Sequence, residues 1–442
     1  MTNQLNDDQQ ASFIDVINFI NGPDQFMHIS GGAGTGKTFF IAAVADNILR
    51  QKTSECTLHT VAITATTNKA AAVIQEAMPH RAGEIGTIYS LMNLRLSENF
   101  STGVAKVVPT NKFEVHSGTL IIIDEDSMIN AELFKYLQIG IDQSCKVLFV
   151  GDQNQLAPVK EELSPIFSQG YKSSFLTKPV RNAGSPALMA LCEQAKLTVL
   201  TGVFTPIVEV PGVIDFVDGP GLKGVLEREY AVEDPLRRIL SYTNKQVILY
   251  NSFIRTLRGY TEPYEIGEIL TNNSSAELAG KERLYTDQTV VVDSIVSDEM
   301  NSVIVPGHSI RTITMMVSDA NKMILSDANT MVVSDANTSR TYKVTCFAYP
   351  QDRADAMKFY SSTKAWDKYF RIKNTFPELR SVAASTTHKA QGSTYDTVIV
   401  DLADIGKSTN RMQTARMQYV ALSRPKVRLY IKGVLPPRYF TT

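Results

Sequence analysis

The chain has 442 residues, 43% hydrophobic and 20% charged, with 44 Lys+Arg against 45 Asp+Glu. That length exceeds one ordinary core, so about two to four domains are expected, and a net charge of −1 excludes a global basic field without excluding a local basic groove. Cys56, Cys145, Cys192 and Cys346 lie far apart with no CxxC, as free thiols of a reducing compartment do. No apolar run approaches membrane-spanning length and the polar start Met1-Thr2-Asn3-Gln4 is unlike a signal peptide, so the cytoplasm is the expected location and no membrane partner is expected.

Leu5-Asn6-Asp7-Asp8-Gln9-Gln10 precedes a helix whose apolar positions are Phe13, Ile14, Ile17 and Ile20. Asn6 or Asp7 suits its N-cap. Gln9 alternatively folds back over a nucleotide, because a carboxamide both donates to and accepts from one adenine edge; the spacing leaves both readings open. Phe26-Met27-His28-Ile29 then reads as a strand and Phe39 to Leu49 as a helix, with Gly31-Gly32-Ala33-Gly34-Thr35-Gly36-Lys37-Thr38 between them. This is the phosphate-binding loop pattern in its required strand, loop and helix context. Successive N–H groups of such a loop close on a β-phosphate at a helix N-terminus. Lys37 would reach the β- and γ-phosphates, and Thr38 would offer its hydroxyl to Mg²⁺.

Thr57 to Thr64 is a second predicted strand, turning through Ala65-Thr66-Thr67-Asn68 into a helix. Short hydroxyl and amide side chains there suit phosphate or sugar contacts and suit helix capping equally well. Gly86-Thr87-Ile88-Tyr89 repeats the logic. Residues 95 to 117, with Phe100 and several valines among Ser, Thr, Gly, Asn and Pro, read as an inserted β-hairpin. Thr119-Leu120-Ile121-Ile122-Ile123 is apolar throughout, like a central parallel strand, and runs into Asp124-Glu125. Acids just past a strand's carboxyl end sit where open α/β sheets place ligands: Asp124 to hold Mg²⁺ and Glu125 to orient and polarise the attacking water. Lys146 to Val150 leads likewise into Gly151-Asp152-Gln153-Asn154-Gln155-Leu156, where Gln155 can bond both a γ-phosphate and the chain beside it.

Gln9, the loop at 31 to 38, Thr67-Asn68, Thr87, Asp124-Glu125 and Gly-Asp-Gln-Asn-Gln-Leu at 151 to 156 together resemble, in order, the motifs of the superfamily 1 helicases of the 5′-to-3′ class, superfamily 1B. The resemblance implies an α/β fold of two RecA-like P-loop domains. They would lie at 1–174, with a strand-splitting pin at 95–117, and at 175–256 plus 380–442. An SH3-like β-rich domain with a helical extension would be inserted at 257–379. It implies a DNA helicase and DNA-stimulated ATPase using ATP and Mg²⁺, with single-stranded DNA and its junctions with duplex as partners. Nucleotide contacts would come from Gln9, Gly32, Ala33, Gly34, Thr35, Gly36 and Gly392. DNA contacts would come from Thr66, Thr67, Asn68, Thr87, Tyr89 and Phe100, the last at the pin tip. A monomer in the host cytoplasm of a phage, meeting replication or recombination proteins, is the expectation.

The second half extends the match. Leu176-Thr177-Lys178-Pro179-Val180-Arg181 resembles the segment whose Arg reaches the γ-phosphate, although position alone favours a surface Arg. Ile239 to Lys245 resembles the strand and loop that grip DNA, through Thr243 and Asn244. Ser-Asp-Ala-Asn recurs every eight residues at 318–321, 326–329 and 334–337, with turn-forming residues after apolar pairs, so short antiparallel strands are expected there. Ala354 to Phe376 reads as a helical stretch whose Met357, Tyr360, Trp366, Tyr369 and Phe370 suit core packing better than base stacking. Ala384 to Ser393 resembles the motif touching DNA and the γ-phosphate side, which brings Thr386 and His388 to the DNA backbone. Gln418-Tyr419-Val420-Ala421-Leu422-Ser423-Arg424 matches the last motif, with Arg424 as a second arginine finger. A protein-remodelling ATPase and a non-hydrolysing nucleotide-gated module are the competing classes.

Overall fold

The computed structural model describes residues 5–50, 58, 60–78, 84–102, 105–158, 161–180, 184–320 and 340–440. It divides into two compact units, Met1–Arg95 with Val107–Val217 and Ala390–Thr442, and Leu96–Lys106 with Asp218–Lys389.

The first unit is built on a six-stranded sheet in the order Glu84–Thr87, Thr60–Ala65, Thr119–Asp124, Lys146–Gly151, Phe26–Gly31, Lys172–Leu176. Every pairing is parallel. Parallel sheets are covered on both faces, and Thr119–Asp124 is buried at every position. The alternation of side chains splits its apolar run: Leu120 and Ile122 join Phe19, Met27, Phe40, Ile41 and Val44 on one face, and Ile121 and Ile123 join Ile129, Leu133, Phe134 and Phe149 on the other. Each such burial stabilises by roughly 1.5–3 kcal/mol relative to exposure. The same unit holds three further parallel strands, Ile214–Val217, Pro425–Lys432 and Tyr395–Asp401, paired in that order, with helix Pro186–Thr201 packed on helix Arg411–Leu422.

In the second unit, Arg237–Ser241 pairs in parallel with Ala384–Thr386, and Asn251 of helix Asn244–Leu257 fixes the latter by accepting from Ala384 N at 2.7 Å. The region read as β-rich is an antiparallel sheet in the order Thr341–Phe347, Ile310–Asp319, Thr289–Asn301, Ile269–Asn272, Leu379–Ser381. Of the eight-residue repeats, the start of the first ends strand Ile310–Asp319; residues 321–339, which carry the rest, lie outside the described residues. The helical stretch expected over 354–376 is two helices, Pro350–Ser362 and Trp366–Thr375. Lys364 breaks it with φ +57°, and Ala365 N closes the turn on Tyr360 O at 2.9 Å. Tyr360 and Phe370 are both buried. The hairpin appears as Leu94–Glu98 and Ala105–Pro109. Parallel sheets clothed by helices make the protein α/β.

Strand Lys146–Gly151 ends on a glycine for a steric reason. A Cβ at Gly151 would overlap the Asp126 carboxylate and stand 3.1 Å from the Asp126 backbone nitrogen. That carboxylate is wholly buried, with His28 Nε2 at 3.0 Å from its Oδ2, so it has no solvent into which to retreat. Gly151→Ala is predicted to lower the free energy of unfolding by about 1–3 kcal/mol, measured by urea titration; an unchanged midpoint would contradict this packing.

Candidate nucleotide site

Three neighbouring strands of the first sheet, Thr119–Asp124, Lys146–Gly151 and Phe26–Gly31, bring their carboxyl ends to one edge. Phe26–Gly31 passes into helix Lys37–Arg50 through a loop in which Gly34 and Gly36 both have φ +82°, a region that side-chain-bearing residues avoid. Thr35 Oγ1 donates to Gly32 O at 3.0 Å. Lys37 Nζ donates to Gly31 O at 2.8 Å and Gly32 O at 3.2 Å, so its ammonium lies over the loop it belongs to.

Gln9 completes a helix cap and reaches the phosphate loop. Its Oε1 accepts from Asn6 N at 3.1 Å while Asn6 Oδ1 accepts from Gln9 N at 2.9 Å, a reciprocal cap of helix Asp7–Asn21. Its Nε2 donates to Thr35 O at 3.3 Å, tying the first helix to the phosphate loop.

Asp124 Oδ1 accepts from Glu125 N at 2.9 Å. Burial, reinforced by the Glu125 charge and opposed by Lys37, pushes the Asp124 carboxyl up to about 7, and burial likewise raises Asp126 against the pull of His28. Glu125 sits at φ +56°, a left-handed conformation that costs a non-glycine residue on the order of 1–3 kcal/mol and is kept where surrounding contacts impose it. Those contacts are Thr66 Oγ1 donating to Glu125 O at 3.3 Å and Gln391 Nε2 donating to Glu125 Oε2 at 3.0 Å and to Ser127 Oγ at 3.1 Å. Sequence reasoning passed over Gln391, although it directly precedes Gly392 in a motif already singled out.

Lys37, Thr38, Asp124, Glu125, Gln155, Gly392 and Arg424 line one cavity of about 330 Å³. Among the described residues, the buried Oε1 atoms of Gln155 and Gln391 have no hydrogen-bond partner, and Gln155 lines this cavity. Arg424 is 2% exposed; its Nε donates to Val420 O at 2.8 Å, Nη1 to Ser393 O at 3.0 Å and Nη2 to Ser423 Oγ at 2.8 Å. A guanidinium has five N–H groups, so two remain beyond these three. Arg181 lies outside the described residues. Thr38, Asp124 and the neighbouring Glu125 present the hard oxygen donors that Mg²⁺ takes.

Four of the five threonines assigned to DNA cap helices, while the fifth, Thr66, donates to Glu125 O. Thr67, Thr87 and Thr243 accept from Ala70 N at 3.2 Å, Ser90 N at 3.1 Å and Gln246 N at 3.2 Å, and Thr386 accepts from Lys389 N at 3.4 Å. A capping hydroxyl accepts through its lone pairs and its proton is a separate group, so capping does not by itself contradict a phosphate contact; Thr87 Oγ1 also shares a hydrogen bond with Ser90 Oγ at 3.0 Å. Thr67 and Asn68 are exposed and Thr66 partly so; Tyr89 packs against the second core cluster. In the second unit, Asn244 Oδ1 accepts from Arg380 Nη1 at 3.0 Å. Burial lowers the His388 pKa and so keeps its imidazole neutral at pH 7. Phe100, 59% exposed, stands edge-on to Phe370 with centroids 5.5 Å apart. Beside it, Asn374 Nδ2 donates to Glu98 Oε2 at 2.7 Å and Lys373 Nζ lies 3.6 Å from Glu98 Oε1.

The model of an AAA domain matches residues 18–161, and that of the UvrD-like helicase C-terminal domain matches residues 381–431. The chain is 24% identical to uncharacterized protein R530 of Acanthamoeba polyphaga mimivirus, over 96% of this chain and 99% of that protein. It is 23% identical to the ATP-dependent DNA helicase dda of Enterobacteria phage T4, over 90% of this chain and 92% of that one. The RecBCD enzyme subunit RecD of Haemophilus influenzae is 27% identical over 37% of this chain and 26% of its own length. The phosphate loop and the strand-end acids fall within the first of these matches and the segment from Ala384 to Arg424 within the second, and over nearly its full length the chain is similar to the DNA helicase dda.

Proposed function

We propose that this helicase hydrolyses ATP to translocate 5′-to-3′ on single-stranded DNA and to separate duplex at a junction. The observation that carries the ATPase is the single cavity lined by Lys37, Thr38, Asp124, Glu125, Gln155 and Arg424. ATP would lie with its phosphates along the loop from Gly32 to Thr38, Gln9 at the base and Gly392 beside Glu125. Thr38 and Asp124 would hold Mg²⁺, which when bound neutralises charge on the β- and γ-phosphate oxygens.

Glu125 orients a water for in-line attack on the γ-phosphorus and takes its proton, while the P–O bond to the β-phosphate breaks and ADP leaves. Lys37 exchanges its carbonyl partners for phosphate oxygens. Gln155 reports the γ-phosphate to the loop it sits on, and the two spare donors of Arg424, with those of Arg181, stabilise transition-state charge. A Glu125 already fixed through Gln391 and through its own backbone needs little reorganisation at the moment of attack.

DNA would be held chiefly by its backbone, through the hydroxyls of Thr67, Thr87, Thr243 and Thr386, the amides of Asn68 and Asn244, Tyr89, and neutral His388, with Thr66, whose hydroxyl is given to Glu125 O, beside them. Such contacts position the strand without reading sequence. The hairpin would split the duplex with Phe100 at its tip. Its seat against Phe370, Lys373 and Asn374 supports this reading, because a wedge must be held from behind.

Lys37→Ala is expected to abolish ATP turnover while leaving the far-ultraviolet circular dichroism spectrum unchanged; turnover near the unmutated rate would sink the site assignment. Phe100→Ala is expected to slow unwinding of a tailed duplex by about tenfold with DNA-stimulated ATP turnover retained. Unwinding that survives unchanged would remove Phe100 from the pin.

A further inference from the structure

The helix Arg411–Leu422 does more than lead the chain to Arg424. Tyr419, 2% exposed, accepts at its hydroxyl from Ala33 N of the phosphate loop at 2.9 Å and donates to Asp152 Oδ2 at 2.7 Å. The other carboxylate oxygen of Asp152 accepts from Asn154 N at 3.0 Å and Asn154 Nδ2 at 3.1 Å. One turn earlier on the same helix, Arg416 Nη1 donates to Gln153 O and Gln155 O; residues three apart share a helix face. Every residue of this network belongs to the first unit.

One rigid element therefore grips two catalytic loops from one side. Its Tyr419 holds the phosphate loop to the Asp152 end of the segment 151–156, and its Arg416 holds the carbonyl of Gln155, the residue whose buried Oε1 is unpartnered. The chain then leaves the helix at Ser423 and presents Arg424 to the same cavity. We propose that Tyr419, assisted by Arg416, is a positioning residue for hydrolysis: its hydroxyl fixes the distance between the phosphate loop and the Gln155 loop, so that the γ-phosphate held by one is in register with the sensor carried by the other. The inference rests on the ATPase reading and gives that site a component outside the family motifs' usual acids, lysine and arginines.

Tyr419 donates rather than ionises, since burial and the Asp152 charge raise its pKa well above the usual phenol value. The ring and the hydroxyl have separable roles. Phenylalanine keeps the packing of the ring while leaving Ala33 N–H and Asp152 without their common partner. Tyr419 engages Ala33 N–H and none of the loop amides from Gly34 to Thr38, so phosphate binding rests on those amides and Lys37, whereas alignment rests on the hydroxyl. A misplacement of this kind lowers kcat and spares KM.

The test is steady-state ATP hydrolysis by the full chain with single-stranded DNA, for the unmutated protein, Tyr419→Phe, Asp152→Asn and the double variant, with thermal midpoints recorded for each. Tyr419→Phe is expected to lower kcat about tenfold with KM for ATP within about twofold. The double variant should be no slower than the slower single one, because both break the same link. Asp152→Asn keeps the side chain's shape and answers the question if Tyr419→Phe folds poorly. A kcat for Tyr419→Phe within about twofold of the unmutated value, a rise in KM at constant kcat, or effects that multiply in the double variant would each overturn the proposal. Absence of ATP turnover in the unmutated chain would overturn the ATPase reading itself, and this inference with it.

Discussion

The site depends on the register of three parallel strands. Pairing Ser30 with Gly151 and Asp124 with Val150 makes the chain leave the sheet at the same level three times, with a phosphate loop, two acids and a Gln-bearing loop. A slip of one residue would turn each strand's side chains to the opposite face and drive Asp124 or Ile123 out of place. What forbids the slip is the division of Leu120 and Ile122 from Ile121 and Ile123 between two packed faces. The apolar core is thus the gauge that sets the distances between charged groups it never touches.

Those groups are held in a state of mutual compensation. Asp124 and Asp126 are buried carboxyls whose charged forms burial disfavours. Lys37 opposes that effect at Asp124, and the His28 imidazole does so at Asp126. Glu125 is strained in its backbone, and its side chain is tied by Gln391. Lys37 spends its donors on loop carbonyls that phosphate oxygens would outcompete, because a bond between two ionised partners is stronger than one to a neutral carbonyl. The arrangement suits a site in which an anion and a cation complete the balance.

Much of this was legible in the sequence where a motif forces its own geometry. The phosphate loop needs glycines at left-handed positions, and Gly34 and Gly36 supply them; the apolar run 119–123 has no place but a central strand. Elsewhere one residue type serves two ends. Asn6 and Gln9 cap a helix and Gln9 also ties the loop, and Thr67, Thr87 and Thr243 cap helices at the positions assigned to DNA, so spacing alone left both possibilities standing. The helix expected over 354–376 breaks at Lys364, a left-handed non-glycine residue that no composition rule marks. Gln391, Arg416 and Tyr419 act across long stretches of sequence, on Glu125, on the segment 153–155 and on Ala33. Such pairings exist only once the fold has brought the segments together.

The most direct test of the account follows ATP turnover with and without single-stranded DNA, and in the same tubes the unwinding of duplexes carrying either a 5′ or a 3′ single-stranded tail. DNA is expected to stimulate turnover, and only the 5′-tailed duplex is expected to be separated. Turnover indifferent to DNA would contradict the motor, and separation from the 3′ tail would contradict its direction.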